Sequence, residues 1–407
     1  MRAHPSACRP WLSRLWLLVV GLGVLSLTGC VSVSPPPVSE QTTVVPKATV
    51  LPARIVSNFF VLEARQADGR TYRFLLDTGS SATYASPALA KALGVTGAKN
   101  SPRTRRVRGA QGGEIELATL TLGSLTLGDV HFERVPALQY DFADLSGHLG
   151  LPIDGVLGFP LFRDTLLVLD YAHAQLVIAP ALPSAAPSTG PARSCTIAFN
   201  NEQGSPLIPI QMGNESFIVL IDSGSDGGLS LNPIGLHPRF ASGPRVGTLV
   251  ASLTGDRRQL IGRLAQNVTL GSHTVVQPIT DLTDQLSSIG GDFLKNFTVT
   301  FDQRHNQVTF SRDADGPVHM ESRRSTGLSF GRTPVYWRVL TVVPDTPAAQ
   351  LPVQAGDLCV RLNGEPVEKW DSERYAALLR SAAKVTYTFL NGPKETDLEI
   401  PVIDLVP

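Results

Sequence analysis

The chain has 407 residues, with 35 basic and 35 acidic side chains and a formal net charge of zero. Hydrophobic residues make up 43% and charged ones 17%, which is enough apolar matter for two or three folded domains and too balanced a charge to suggest a nucleic-acid partner. The eight His are scattered and no Cys-x-x-Cys occurs, so no metal or cofactor is expected.

Residues 1–29 read as an export signal. Arg2, Arg9 and Arg14 make a positive start, and the apolar run over residues 15–27 is too short and too early for a membrane span. Leu27-Thr28-Gly29-Cys30 resembles a bacterial lipobox. That resemblance implies cleavage before Cys30 and lipidation of its sulfur and new amino group, with each buried CH₂ contributing roughly 0.8 kcal/mol of membrane anchoring. Neither Val31 nor Ser32 is acidic, which in related lipoproteins favours the outer membrane, facing the periplasm. Loss of residues 1–29 removes three of the 35 basic residues and no acid, leaving 32 against 35. Residues 30–50 hold Pro35, Pro36, Pro37 and Pro46 among Ser, Val and Thr, and are expected to form a flexible tether. Cys195 and Cys359 fall in segments assigned to different domains and are expected to stay unpaired.

Short Val/Ile/Leu/Thr runs broken by 36 Gly and 31 Pro make the rest strand-like. Residues 51–180 form a first lobe. Phe59-Phe60-Val61-Leu62 reads as a strand, Asp68-Gly69 as a turn, and residues 72–76 as a strand delivering Asp77. Ser86-Pro87 opens a short helix that Gly94 closes. Arg103, Arg105, Arg106 and Arg108 read as a solvated hairpin. Val156-Leu157-Gly158 then leads into a strand ending at Asp170. Residues 181–196 read as an interlobe linker. Residues 197–312 repeat the order: a strand over 207–211, the turn Gly213-Asn214, a strand over 217–221 delivering Asp222, and Ile289-Gly290 leading to Asp302. The turn stands eight residues before the Asp in both halves, and twelve residues separate Gly158 from Asp170 and Gly290 from Asp302.

Asp77-Thr78-Gly79-Ser80 thus recurs as Asp222-Ser223-Gly224-Ser225, each after an apolar run. Two carboxyls brought face to face cannot both ionise, so one keeps its proton in mild acid. One can then take a proton from water while the other donates to a carbonyl. The tetrads and the later apolar-Gly pairs resemble those of retropepsin and pepsin-like aspartic proteases. The resemblance implies two β-barrel-like lobes meeting as a pseudo-dimer within one chain, hence a monomer, with Asp77 and Asp222 catalytic. It also implies that Thr78 and Ser223 cross-bond the two loops, that Gly79 and Gly224 permit the tight turns, and that Ser80 and Ser225 donate to the outer carboxylate oxygens. Such donors would favour a distinctly acidic optimum. Flaps are expected at residues 107–113, with Gly109, Gly112 and Gly113, and at residues 251–256, with Gly255. Neither contains a Tyr, and Ser288 stands where the family has an apolar residue.

From Ser325 the pattern changes. Over residues 325–405, the order of strands and one helix resembles a PDZ domain, a small α+β fold. Gly327-Leu328-Ser329-Phe330 is similar to its peptide-carboxylate loop, and Gly356-Asp357 through Asn363-Gly364 follows the family pattern. The whole reads as a lipid-anchored envelope aspartic endopeptidase, a hydrolase, whose PDZ-like domain recruits protein or peptide substrates. The second reading is a non-catalytic peptide-binding lipoprotein that keeps the protease fold.

Overall fold

The computed structural model describes residues 37, 39, 41–44, 46–95, 103–109, 113–181, 193–250 and 257–407. The expected export signal, Cys30, Gly112, Gly255 and most of the interlobe linker lie outside these residues. Among the described residues no helix is long and apolar enough to cross a membrane.

The architecture is mainly β. In the first lobe the strand Thr71–Asp77 buries Phe74, Leu75 and Leu76 in succession, as a strand covered on both faces does. It pairs in parallel with Gly155–Gly158, placing Gly158 beside Asp77. A parallel pair needs a long crossover. Here the crossover includes the strands Glu114–Leu127 and Val130–Gln139 and the helix Ala143–Leu149. The second lobe repeats the device: Glu215–Ile221 runs parallel to Ser288–Ile289. Gly158 is required by close approach, because a Cβ there would lie 2.2 Å from the Ala82 carbonyl oxygen. Gly290 has the same role, its Cβ position being 2.6 Å from the Gly227 oxygen. The twofold repetition of apolar-Gly in the sequence therefore reflects two loops that each need a bare backbone underneath.

The expected helix opens as its sequence dictates. The Ser86 hydroxyl accepts from the Leu89 amide at 3.1 Å, Pro87 follows, and Gly94 ends Pro87–Leu93 at φ 71°. The helix Ala143–Leu149 carries no such signature: Phe142 caps it without a side-chain bond.

The two lobes share one sheet. Thr165–Asp170 lies antiparallel to Thr298–Asp302, with Leu166 opposite Asp302, Val168 opposite Thr300 and Asp170 opposite Thr298. That register is symmetric about Val168 and Thr300, as a pseudo-twofold axis demands. Each strand turns back through a hairpin pinned by an Asp-His pair, Asp170 with His173 at 2.8 Å and Asp302 with His305 at 2.6 Å. Apolar side chains from both lobes form one continuous core, in which Phe159 packs edge-on against Phe199 and Phe301.

The expected tether and linker boundaries need correction. Gln41–Thr43 pairs with Val130–Gln139, Ser39 is buried, and Thr49–Val56 pairs with Gln175–Pro180. Ser194–Ala198 pairs with Gln307–Ser311. Backbone pairing to an existing sheet edge needs few apolar side chains, so composition alone missed these strands.

Residues 325–406 have their own core around Trp337, Tyr387 and Phe330. Five strands, Leu328–Arg332, Trp337–Val342, Leu358–Leu362, Lys384–Asn391 and Lys394–Pro401, follow one another across a sheet with the helix Ser372–Ser381 beside it. The Asp371 carboxylate caps that helix by accepting from Arg374 N–H at 2.8 Å. Cys359 is buried there as a free thiol, and Cys195 is likewise free. The region is fastened to both lobes. Arg54 pairs with Asp371 at 2.8 Å, Ser372 Oγ donates to Leu149 O at 2.7 Å, and Arg245 donates to Leu405 O at 3.4 Å. Arg323–Ser325 pairs with Ile403–Val406, while Val406 packs on Ile261 and Ile279 of the second lobe.

Replacing Gly158 by Ala tests the stacked-loop constraint. The methyl would meet backbone rather than a movable side chain, so a loss of about 3 kcal/mol or more is expected in denaturant titration. A change below about 0.5 kcal/mol would overturn the assignment.

Candidate active site

Each tetrad sits in the loop that leaves a central strand, and the lobes bring the two loops together. Thr78 and Ser223 are fully buried. Thr78 N–H donates to Ser223 Oγ at 3.0 Å, and Ser223 N–H donates to Thr78 Oγ1 at 3.0 Å. Each hydroxyl in turn donates across the axis, Thr78 Oγ1 to Ile221 O at 2.7 Å and Ser223 Oγ to Leu76 O at 2.9 Å. Four bonds thus satisfy two buried hydroxyls, two amides and two carbonyls, with none of these groups left bare. Further bonds cross between the lobes at the rim: Ser205 Oγ donates to Gly79 O and Asn58 Nδ2 to Asp226 O, both at 3.0 Å.

This lock presses each carboxyl against the opposite loop. A Cβ on Gly79 would lie 2.5 Å from Asp222 Oδ1, and one on Gly224 would lie 2.4 Å from Asp77 Oδ1. Only glycine leaves room for the two acids to meet. Asp77 Oδ1 accepts from Ser80 N–H and Asp222 Oδ1 from Gly224 N–H, each at 3.0 Å, and the two carboxyls share a side-chain hydrogen bond. Burial and the neighbouring Asp222 carboxylate push Asp77 well above the ordinary carboxylate range. Burial also raises Asp222, against the bonds from Asp77 and the Gly224 amide. The pair therefore holds one proton where free carboxyls are ionised, and it titrates as a unit.

The serines that end the tetrads behave differently from expectation. Ser80 Oγ donates to Ala82 O at 2.9 Å, and Ser225 Oγ accepts from Gly227 N–H at 3.3 Å. Ser80 serves Asp77 through its backbone amide. Its hydroxyl is engaged with Ala82 O instead, which removes the argument for a strongly acid optimum.

The dyad lies on the floor of a cleft of about 1090 Å³. Leu75, Tyr84, Tyr140, Leu145, Leu149 and Val156 line it from the first lobe, and Leu207, Leu220 and Leu286 from the second. Of the first expected flap, Gly109 lines the cleft and its amide bonds Gly113 O at 3.2 Å. Arg108 reaches from the same hairpin to Gln285 of the second lobe at 3.0 Å. The strands Phe240–Val250 and Arg257–Leu264 lead to and from the second expected flap. Tyr84 and Tyr140 supply the aromatic surface that the flaps lack, and neither carried a motif that would have singled it out.

The third region also reaches the cleft: Gly331, Arg332, Thr333, Tyr336, Arg338 and Leu340 form part of its wall. In the expected peptide-carboxylate loop, the Gly327 amide is taken by Ser325 Oγ at 2.9 Å, Leu328 and Phe330 are buried, and Ser329 Oγ is buried with no partner among the described residues. Beneath the second loop, Asp281 is buried with Oδ2 3.3 Å from the Cβ position of Gly227. Burial pushes it up to about 6 although Arg323 pulls the other way, while Asp226 and Asp292 add to the rise. Burial opposes the charge of Arg323, but Asp281, Asp292 and Asp226 outweigh it and raise its pKa.

A family model described as "Aspartyl protease" matches residues 64–161. The match spans the first tetrad and Gly158 and ends before the second lobe; it supports a protease-type function. No curated protein matches the chain.

Thr78→Val should remove the donor to Ile221 O and the acceptor for Ser223 N–H while keeping the volume. A loss on the order of 3 kcal/mol is expected in denaturant titration. Stability within about 0.5 kcal/mol of wild type would contradict the lock. The pH dependence has a definite sign. Folded Asp281 binds its proton up to about 6 whereas the unfolded chain releases it near 3.8, so this contribution is greatest below 3.8 and is lost as pH rises toward 6. Over that window the stability should fall by an amount on the order of 2–3 kcal/mol, and Asp281→Asn should flatten the fall. Parallel wild-type and variant curves would refute it.

Proposed function

We propose that the protein is an aspartic endopeptidase acting on envelope proteins or peptides, held at a bacterial membrane through a lipidated Cys30. The observation that carries this reading is the half-buried, face-to-face Asp77–Asp222 pair at the floor of a cleft large enough for an extended peptide. In the singly protonated pair the ionised carboxyl takes a proton from water. The other carboxyl donates to the scissile carbonyl oxygen as the water oxygen bonds to its carbon. The resulting gem-diol collapses as the leaving nitrogen is protonated, and the pair regains its starting state. Burial keeps the shared proton tightly held, and the reciprocal Thr78–Ser223 bonds keep the two acids positioned without any reorganisation during the reaction.

The third region is read as a PDZ-like module that brings substrate to the cleft. Two features support it: Leu328–Arg332 is an edge strand of its sheet, and the helix Ser372–Ser381 stands beside it.

The test is cleavage of an unfolded protein between pH 4 and 8. Activity should be bell-shaped in pH and decline on the alkaline side as pH passes the upper titration of the pair, which lies well above the ordinary carboxylate range, because that step abolishes the singly protonated state. Asp77→Asn and Asp222→Asn should each lower kcat/KM by about 10³-fold or more. Peptide binding without cleavage at any pH would instead favour the peptide-binding lipoprotein.

A further inference from the structure

We propose that Arg338, from the third region, builds an anion-selecting subsite in the active-site cleft, so that the enzyme prefers substrates with an acidic residue at that position. The proposal rests on the reading that the dyad cleaves peptides, and it adds a substrate class to that reading.

The hairpin made by Leu328–Arg332 and Trp337–Val342 shows why Arg338 faces outward. Trp337 and Val339 are buried in the third region's core, so the alternation of a strand turns Arg338 and Leu340 to the other face, where both line the cleft. Gly331 lies directly opposite Arg338 and puts no side chain in its way. Arg338 is exposed and makes no ion pair or side-chain hydrogen bond among the described residues.

The other arginines of the wall are committed. Arg332 bonds Ser372 Oγ and lies over the rings of Trp337, at 4.8 Å, and Tyr375, at 5.5 Å. Arg108 is held by Gln285. Of the acids that line the cleft beside the dyad, Asp144 lies near Tyr140, and Asp226 lies near Arg323, Asp292 and His148. A carboxylate from outside is the missing partner for the Arg338 guanidinium, and a charge-assisted pair there would select the sign of the side chain that the cleft accepts.

The experiment uses the full chain and fluorogenic peptides that differ only by Glu, Gln or Lys at each position flanking the scissile bond. At one position wild type should favour Glu over Gln in kcat/KM by about fivefold, with Lys the poorest, and the preference should shrink as salt is added. Arg338→Ala should abolish that ratio, and Arg338→Glu should invert it toward Lys. Equal Glu-to-Gln ratios in wild type and Arg338→Glu would overturn the subsite. A second readout is free of catalysis: binding of the same peptides to the Asp77→Asn protein, followed by fluorescence anisotropy, should show the same charge preference. Binding with that preference but no cleavage by wild type would sink the protease reading and leave the subsite standing. Cleavage without any charge preference would sink the subsite alone. Neither binding nor cleavage would reject both.

Discussion

Thr78 and Ser223 each give and receive a hydrogen bond across the axis that relates the two lobes, and the rest of the site follows from that exchange. The bonds fix the spacing of the loops, the spacing leaves only glycine room at 79 and 224, and the bare glycines let the carboxyls touch. Contact between two half-buried acids then favours a shared proton. A chain of this kind is intolerant at every link. Removing one hydroxyl strands buried polar groups, and adding one methyl displaces an acid.

Much of this was written in the primary structure. The twin tetrads, the equal turn-to-Asp spacing and the later glycines specify loops that must be alike, and like loops on like strands meet about an axis. Gly158 and Gly290 could be read because close backbone approach admits no other residue. Other features could not be read. The hydroxyls of Ser80 and Ser225 point where the local turn sends them, and no motif encodes that direction. Gln41–Thr43 joins a sheet through backbone alone. Tyr84 and Tyr140 look like any core aromatic until the fold opens a cleft beside them. The placement of residues 331–340 on the cleft wall depends on contacts hundreds of residues apart, such as Ser372 with Leu149.

Duplication made the floor of the cleft symmetric, and later elements made its walls unequal. The first lobe contributes the helix Ala143–Leu149 and the Arg108 bridge to Gln285. The second lobe contributes Gln285 and Leu286, and the third region adds Tyr336, Arg338 and Leu340. A symmetric floor would accept a peptide in either direction. Unequal walls give the cleft two distinguishable ends, and so a preferred polarity for anything laid along it.

The strand Ile403–Val406 returns to lie beside Arg323–Ser325, and Arg263 binds the carbonyls of both Met320 and Pro407. Entry to the third region and exit from it are therefore stapled at one spot on the second lobe. With Arg54–Asp371 and Ser372–Leu149 holding the same region to the first lobe, it straps the two lobes together at a distance from the dyad, so any parting of the lobes has to strain that strap as well.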